Sequence, residues 1–262
     1  MMSRWRPSDP YSPRPIILAN AGSASQQLCD ERRQYYLDLN KHLADNTHPK
    51  PTRPDAYHGI YAHNEVKQAL GLMFGSKCAY CEADVTMVSW QHVEHFRPVA
   101  RYPALAYARN NLLLACGRCN GKPNKSDNFP IAPSGKTREE NRPEPCSQLG
   151  IGELPMLIDP SSEDPEPHFN FRDGRIIART TKGKHSRDVY GLNRDQLVRG
   201  RKQWLAAIRP IAEEYRIGQM ENDPVRQIRH RAVLFESVQS SAPFAGMVRS
   251  ELKSMGIDWR TL

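Results

Sequence analysis

Four of the six cysteines in this chain fall into two C-x-x-C pairs, Cys78-Ala79-Tyr80-Cys81 and Cys116-Gly117-Arg118-Cys119. A C-x-x-C turn aims two thiolates at one centre, and two such knuckles complete the closed tetrahedral site that holds a structural Zn²⁺. The rival chemistry is a redox dithiol, which works as a single pair in a thioredoxin-like βαβ setting, and no such setting surrounds either pair. The 34 residues between the pairs exceed the gap of a minimal zinc ribbon, so the zinc is expected to brace whatever is inserted there. Cys29 and Cys146 lie outside the pattern and read as free thiols.

The insert carries residues able to act on a phosphodiester: His92-Val93-Glu94-His95-Phe96-Arg97-Pro98, then Asn111-Leu112-Leu113-Leu114, with Asn120 directly after the last cysteine. Hydrolysis of that bond needs an activated water, neutralised phosphate charge and help for the departing oxygen. His95 is the natural base, because an unperturbed imidazole titrates near neutrality. Arg97, Lys122 and Lys125 are candidate phosphate contacts. Plain readings stand beside each of these. A Glu-His pair can be surface polarity, Asn120 can cap a helix, the three bases can belong to a solvated face, and His92 reads best as a solvent-facing strand residue.

This ordered set resembles the HNH endonucleases. Their ββα-metal motif often runs C-x-x-C, an Asp-His a few residues before a proline, Asn-Leu, then C-x-x-C-Asn with a following Lys. Glu94 stands where Asp is usual, and Asn120 where many members carry a final His. The resemblance implies that Asn111 holds the loop and orients the His95 ring from the second strand. It also implies that Glu94 and Asn120 offer oxygen ligands to one divalent cation. Such donors suit Mg²⁺ or Mn²⁺ and leave zinc to the thiolates. The cation would serve as Lewis acid on the scissile phosphate and leaving oxygen.

A closer similarity is to the PtuB-type HNH nucleases. It rests on Cys78-Ala-Tyr-Cys81-Glu82, Val93-Glu94-His95-Phe96-Arg97-Pro98, Leu105-Ala106-Tyr107, Asn111-Leu-Leu-Leu, Cys119-Asn120 and Phe129-Pro130. Further along, Leu157-Ile158-Asp159-Pro160, Glu163-Asp164-Pro165-Glu166-Pro167-His168 and Tyr190-Gly191-Leu192-Asn193-Arg194 extend it, so that it covers residues 60–200. It implies an effector of a Septu or retron anti-phage system beside an ATPase subunit called PtuA, with a retron reverse transcriptase and its msDNA as partners in the retron case. DNA is the favoured substrate. RNA such as tRNA is the alternative, because chemistry at one phosphate does not read the sugar. The competing class is a catalytically inert zinc module that binds nucleic acid or protein. An intact Glu94-His95 with Asn111 and Asn120 argues against it, since a binding module needs no base.

The elements that must position these residues read as an α+β fold: a zinc-stapled ββα-metal core with surrounding helices, a small β-hairpin and a helical C-terminal region. Residues 1–56 form an arm and helix with a proline-rich linker, the helix over 24–46 and the linker over 47–56. Residues 57–130 hold the nuclease core, 131–189 a loop and hairpin extension, and 190–262 the C-terminal helices. Within the core a helix is expected over 64–74, capped by Asn64, with Val66, Leu70, Met73 and Phe74 inward and Gly75 past its end. Met156-Leu157-Ile158-Asp159-Pro160 suggests a short strand. Strands at 168–172 and 175–179 around Asp173-Gly174 form a hairpin with a type I′ turn. Asn193 is the expected cap of a helix with Leu197, Trp204, Leu205, Ile208 and Ile211 inward and Pro210 kinking or ending it. Asp223-Pro224 and Pro243 open the last two helices, the final one bearing Phe244, Met247, Val248 and Leu252. The acidic stretch Glu163–Glu166 reads as a polar turn among three prolines, not as a second metal site.

Charge and composition bound the function classes. The net charge of +8, from 37 Lys+Arg against 29 Asp+Glu, makes a nucleic-acid partner plausible. The apolar run Leu112–Cys116 is far too short for a membrane span, and no apolar stretch follows the first charges as in a secretory signal, so a cytoplasmic protein is expected. Gly117-Arg-Cys-Asn-Gly121-Lys122-Pro123 lacks the spacing and hydroxyl of a phosphate-binding loop, so the chain is not read as an NTPase itself. The region from Tyr190 onward is then expected to dock on the separate ATPase, with the last two helices, as terminal elements, best placed to do so.

Overall fold

The structure, a computed structural model, describes residues 61–88, 92–99, 101–102, 105–133 and 153–262, with parts of 31–52. The expected N-terminal arm, Cys29, Cys146, and most of the loop at 131–154 lie outside the described residues. Of the first expected helix, the described positions between 31 and 44 are helical, and 47–52 carry no regular element.

Helix α1 (Asn64–Phe74) buries Val66, Ala69, Leu70 and Phe74 along one stripe, and Gly75 closes it in the left-handed region at φ 57°. Its cap is His63 and not Asn64. The His63 backbone is extended, and its ring nitrogen accepts from the Glu65 amide at 3.3 Å, so Asn64 already lies in the first turn. The first cysteine knuckle follows, then one short helical turn, α2 (Val85–Val88).

Strands β1 (His92–His95) and β2 (Leu112–Ala115) pair antiparallel, with Val93 opposite Leu114 and His95 opposite Leu112. One helical turn, α3 (Gly117–Asn120), begins as soon as β2 ends, with Cys116 as its N-cap. All four residues of β2 are buried, so both faces of this small hairpin are covered. Each of its three leucines stabilises the fold by about 1.5–3 kcal/mol. They join α1, Phe96, Phe129, Leu157, Ile158, the second hairpin and Leu192 in one apolar core.

The second hairpin forms as read: β3 (Phe169–Arg172) pairs with β4 (Arg175–Ala178), and Asp173 and Gly174 both take positive φ, as a type I′ turn demands. The strand expected at 156–160 does not form. Met156 N–H still donates to Pro130 O at 2.9 Å, but at Ile158 the backbone bonds to side chains: its N–H donates to Ser186 Oγ at 2.8 Å, and its carbonyl accepts from Tyr190 Oη at 3.0 Å. Both partners come from the segment of α4 (Thr181–Val189) and its C-cap. Only Pro155 keeps an isolated bridge, to Ile131.

Three α-helices follow, α5 (Asp195–Met220), α6 (Pro224–Val238) and α7 (Ala245–Ser254), and then a 3-10 turn at Trp259–Thr261. Arg194, not Asn193, occupies the N-cap of α5. Asn193 has another task, since its amide exchanges two 2.8 Å hydrogen bonds with the Ile176 backbone and stands in for a strand neighbour of β4. Helix α5 runs through Pro210 without ending. Pro210 and Ala206 are both exposed, so the carbonyl that loses its partner lies on the watered side of the helix. Asp223 caps α6 as expected, accepting from the Val225 and Arg226 amides. The start of α7 lies two residues later than Pro243 suggested, with Phe244 as its left-handed cap.

A second apolar core joins Ile208, Ala212 and Tyr215 of α5 to Leu234 and Val238 of α6 and to Val248 and Leu252 of α7. The last helix is no spare terminal element. Glu82, next to the first knuckle, accepts from the Gly246 amide at 3.1 Å, its carbonyl accepts from the Phe244 amide at 3.2 Å, and the buried Lys77 donates to Ala242 O at 2.9 Å. No helix among the described residues is long and apolar enough to cross a membrane.

Candidate active site and metal centre

The two knuckles meet because the first hairpin forces them together. Ala79 N–H donates to Leu114 O at 2.8 Å, which ties the first knuckle to β2, and β2 itself runs into Cys116. The ligand atoms of Cys78, Cys81, Cys116 and Cys119 all lie within 4.8 Å of one another, and all four residues are buried. Four thiols so crowded and desolvated cannot all ionise without a cation among them, and four close soft donors suit zinc.

The sequence did not assign Arg194 a role, and it lies against this cluster. Its Nη1 donates to Cys119 Sγ at 3.4 Å, and its Nη2 to Cys116 Sγ at 3.7 Å and Cys81 Sγ at 3.8 Å. Further bonds from Nη1 to the Tyr190 and Gly191 carbonyls fix the fork. Burial works against the guanidinium charge, but the neighbouring thiolates outweigh it and hold the group above its ordinary range. A Zn²⁺ with four thiolates carries a net charge of about −2, so a cation at this spot has a clear electrostatic reason. The available signal was the Tyr-Gly-Leu-Asn-Arg string, which spacing alone did not connect to the cysteines.

Glu94 and His95 are adjacent on β1, so alternation sends their side chains to opposite faces of the hairpin. His95 is buried, meets the Tyr61 ring edge-on at 4.6 Å, and has Nε2 2.8 Å from Ala106 O. A carbonyl can only accept, so Nε2 carries a proton, and in the neutral ring the lone pair lies on Nδ1. On the other face, Glu94 Oε1 accepts from Tyr80 Oη at 3.3 Å and lies 3.2 Å from Lys125 Nζ. Burial pushes the Glu94 carboxyl up to about 7 against the pull of Lys125 and Tyr80. The same burial lowers Lys125, with Glu94 opposing it. Tyr80, which sits inside the first knuckle and stacks on Tyr190 at 4.0 Å, is a second residue that the sequence left without a role.

Asn111 precedes β2 and binds backbone. Its Oδ1 accepts from Arg97 N–H at 2.8 Å, and its Nδ2 donates to Arg97 O at 3.0 Å and Leu105 O at 3.1 Å. It therefore clamps the loop between the strands, and the His95 ring is oriented by Ala106 O and Tyr61. Asn120 is half-buried at the end of α3, its carbonyl accepting from Ser126 N–H at 2.8 Å. Arg97 lies half-buried with its guanidinium 5.6 Å from the Phe129 ring, and Lys122 is exposed. Lys125, expected among the phosphate contacts, is not on the surface. It is 0% exposed and its ammonium is held by Glu94, Ser126 O and His95 O. His92 is exposed. Glu163 is spent in its own turn and on Lys182, which suits the polar-turn reading.

These features define a mixed helix-and-strand protein organised around a four-cysteine centre that could hold a metal such as zinc. Over 157 residues, 54% of its length, the chain is 36% identical to the Septu protein PtuB of Bacillus mycoides (strain KBAB4), of which this covers 51%. It is 31% identical over 141 residues to the Septu protein PtuB of Bacillus thuringiensis, covering 53% of this chain and 46% of that one. The similarity implied by the quoted motifs is thus to the Septu protein PtuB, and the chain spans about half the length of these curated relatives. It is also 29% identical over 144 residues to the Septu protein PtuA of Bacillus mycoides (strain KBAB4), covering half of this chain and 19% of that protein. That relation is one of likeness over a segment, which is a different matter from association. No family model matches the chain, and no solved structure matches it.

Proposed function

We propose that this protein is a metal-dependent nuclease of the HNH type that hydrolyses phosphodiester bonds, DNA foremost, as the effector of a Septu-type anti-phage system with a PtuA-like ATPase as partner. The observation that carries the reading is the state of His95. It sits at the end of a strand whose hairpin partner leads directly into a cysteine knuckle and a short helix, and Ala106 O fixes it in the tautomer that a base requires. With the lone pair on Nδ1, His95 can take a proton from a water and rotate little in doing so, because Tyr61 backs the ring.

The donor types at Glu94 and Asn120, one carboxylate and one amide oxygen, are those a hard cation takes. These two residues would hold Mg²⁺ or Mn²⁺ through the Glu94 oxygen that Lys125 and Tyr80 leave unused, at the end of β1 where the faces of Glu94 and His95 would meet one phosphate. Such an ion, when bound, supplies charge neutralisation at the phosphate and the leaving oxygen. Glu94 would share its charge with the buried Lys125, which keeps the carboxylate placed while lowering its net negative field. Arg97 and Lys122 are the bases placed to meet a backbone phosphate, and the +8 net charge favours a polyanion. Zinc at the four cysteines would hold the hairpin and α3 in register and take no part in the reaction. The restraint that a cytoplasmic nuclease needs would come from the ATPase.

The reading is tested by incubating plasmid DNA, and separately tRNA, with the purified protein in Mg²⁺, in Mn²⁺ and in excess chelator, alone and with the neighbouring ATPase. Metal-dependent nicking or linearisation is expected. Intact nucleic acid under all of these conditions would overturn it.

A further inference from the structure

Helix α6 meets the rest of the protein on one side only. Leu234, Ser237 and Val238 are buried against α5 and α7, whereas Val225 and Ile228 are 66% and 70% exposed and Phe235 is 44% exposed. Within α6, Val225, Ile228, Ala232 and Phe235 follow one another at intervals of three, four and three residues. That alternation is the seam of a two-helix coiled coil. At about 100° per residue it points away from the face carrying Leu234. A helix that already fills its place in a bundle has no internal use for a second apolar stripe, and its outward face would ordinarily be polar.

We infer that the seam is filled by α6 of a second copy of this chain, packed antiparallel about a two-fold axis at Ala232. The charges beside the stripe select that occupant. Arg229 and Glu236 flank the seam on the same side and are both exposed. Among the described residues neither joins an ion pair, although the adjacent Arg226 is taken by Glu214 and Glu221. In an antiparallel pair, residues equidistant from the axis oppose each other. Arg229 then stands within one residue of level with Glu236 of the second copy, and the two-fold repeats the contact. Ile228 likewise comes beside Phe235 of the second copy. A parallel pair would instead bring Arg229 beside Pro224 of the second copy, without a carboxylate, and Glu236 beside Arg231, which Thr261 O already holds at 3.5 Å. The small Ala232 at the crossing lets the two axes approach toward the short end of the usual range, about 8 Å. This inference does not rest on the nuclease reading.

Sedimentation equilibrium of the full chain tests it. The mass should rise with concentration from 29.9 kDa toward twice that value. Ile228→Asp and Phe235→Asp should each leave a monomer with unchanged circular dichroism, since both side chains lie on the outward face of the helix, and with a melting temperature that no longer depends on protein concentration. Arg229→Glu and Glu236→Arg should each weaken dimerisation about tenfold, because two favourable contacts become two like-charge ones. The double variant Arg229→Glu/Glu236→Arg should recover native dimerisation. A double variant as weak as either single one, or a chain that is monomeric throughout, would overturn the proposal.

Discussion

Replacing Arg194 with Met should loosen the metal centre without touching a cysteine. The guanidinium reaches three of the four sulfurs at 3.4, 3.7 and 3.8 Å, and it supplies positive charge beside a zinc–tetrathiolate of net negative charge. Removing a partner that bonds to metal ligands in this way typically lowers metal affinity by about 10–100-fold, or about 1.4–2.7 kcal/mol. Because the knuckles hold the first core together, the same free energy should appear in stability, at roughly 2–4 °C per kcal/mol for a chain of this size. Arg194→Lys keeps the charge but cannot span three sulfurs with one ammonium, so it should fall between the native chain and Arg194→Met. Arg194 also holds the Tyr190 and Gly191 carbonyls, so a lower melting temperature alone would not distinguish the two roles. Zinc transfer to a chromogenic chelator does. An Arg194→Met protein that keeps its zinc as tightly as the native chain would refute the reasoning.

Three further outcomes are expected. Metal analysis should find about one zinc per chain, lost in Cys78→Ser or Cys119→Ser and retained in Cys29→Ser; zinc persisting after loss of both knuckles would contradict the site. Lys125→Met should destabilise the chain more at pH 8 than at pH 6, because it removes the cation that opposes the burial penalty on Glu94 while the carboxyl can take a proton at the lower pH, and adding Glu94→Gln should recover much of the loss. The Glu94 carboxyl should also shape stability against pH, since burial raises it from 4.5 to about 7. Below the unfolded value both states are protonated. Between that value and about 7 the native state keeps a proton that the unfolded chain has lost, so stability falls as pH rises through the window, by up to about 1.4 kcal/mol per pH unit. The difference from Glu94→Gln, measured by unfolding at pH 5 to 8, isolates it; a flat difference would be contrary to this account.

The sequence made the cysteine pairing, α1, the Asp173-Gly174 hairpin and the Asp223 cap legible, because each depends on local spacing or on a turn that only certain residues can make. It misled wherever a side chain found a distant partner. Asn193 reads as a cap by position, yet its amide is satisfied by Ile176. The segment at 156–160 reads as a strand by composition, yet Ser186 and Tyr190 take the backbone groups of Ile158 at its middle. Lys125 reads as a surface base among polar neighbours, and only the three-dimensional position of Glu94 explains its burial. Arg194 and Tyr80 show the same limit, since long-range contacts gave them roles that no periodicity reveals.

Whether His95 is the base of a phosphodiester hydrolysis is decided by measuring cleavage and binding side by side for the native chain and His95→Ala, each with its zinc content checked. Cleavage should fall on the order of 10²–10⁴-fold, with nucleic-acid affinity and zinc content unchanged. A His95→Ala protein that binds zinc and cleaves at the native rate would contradict this role for His95.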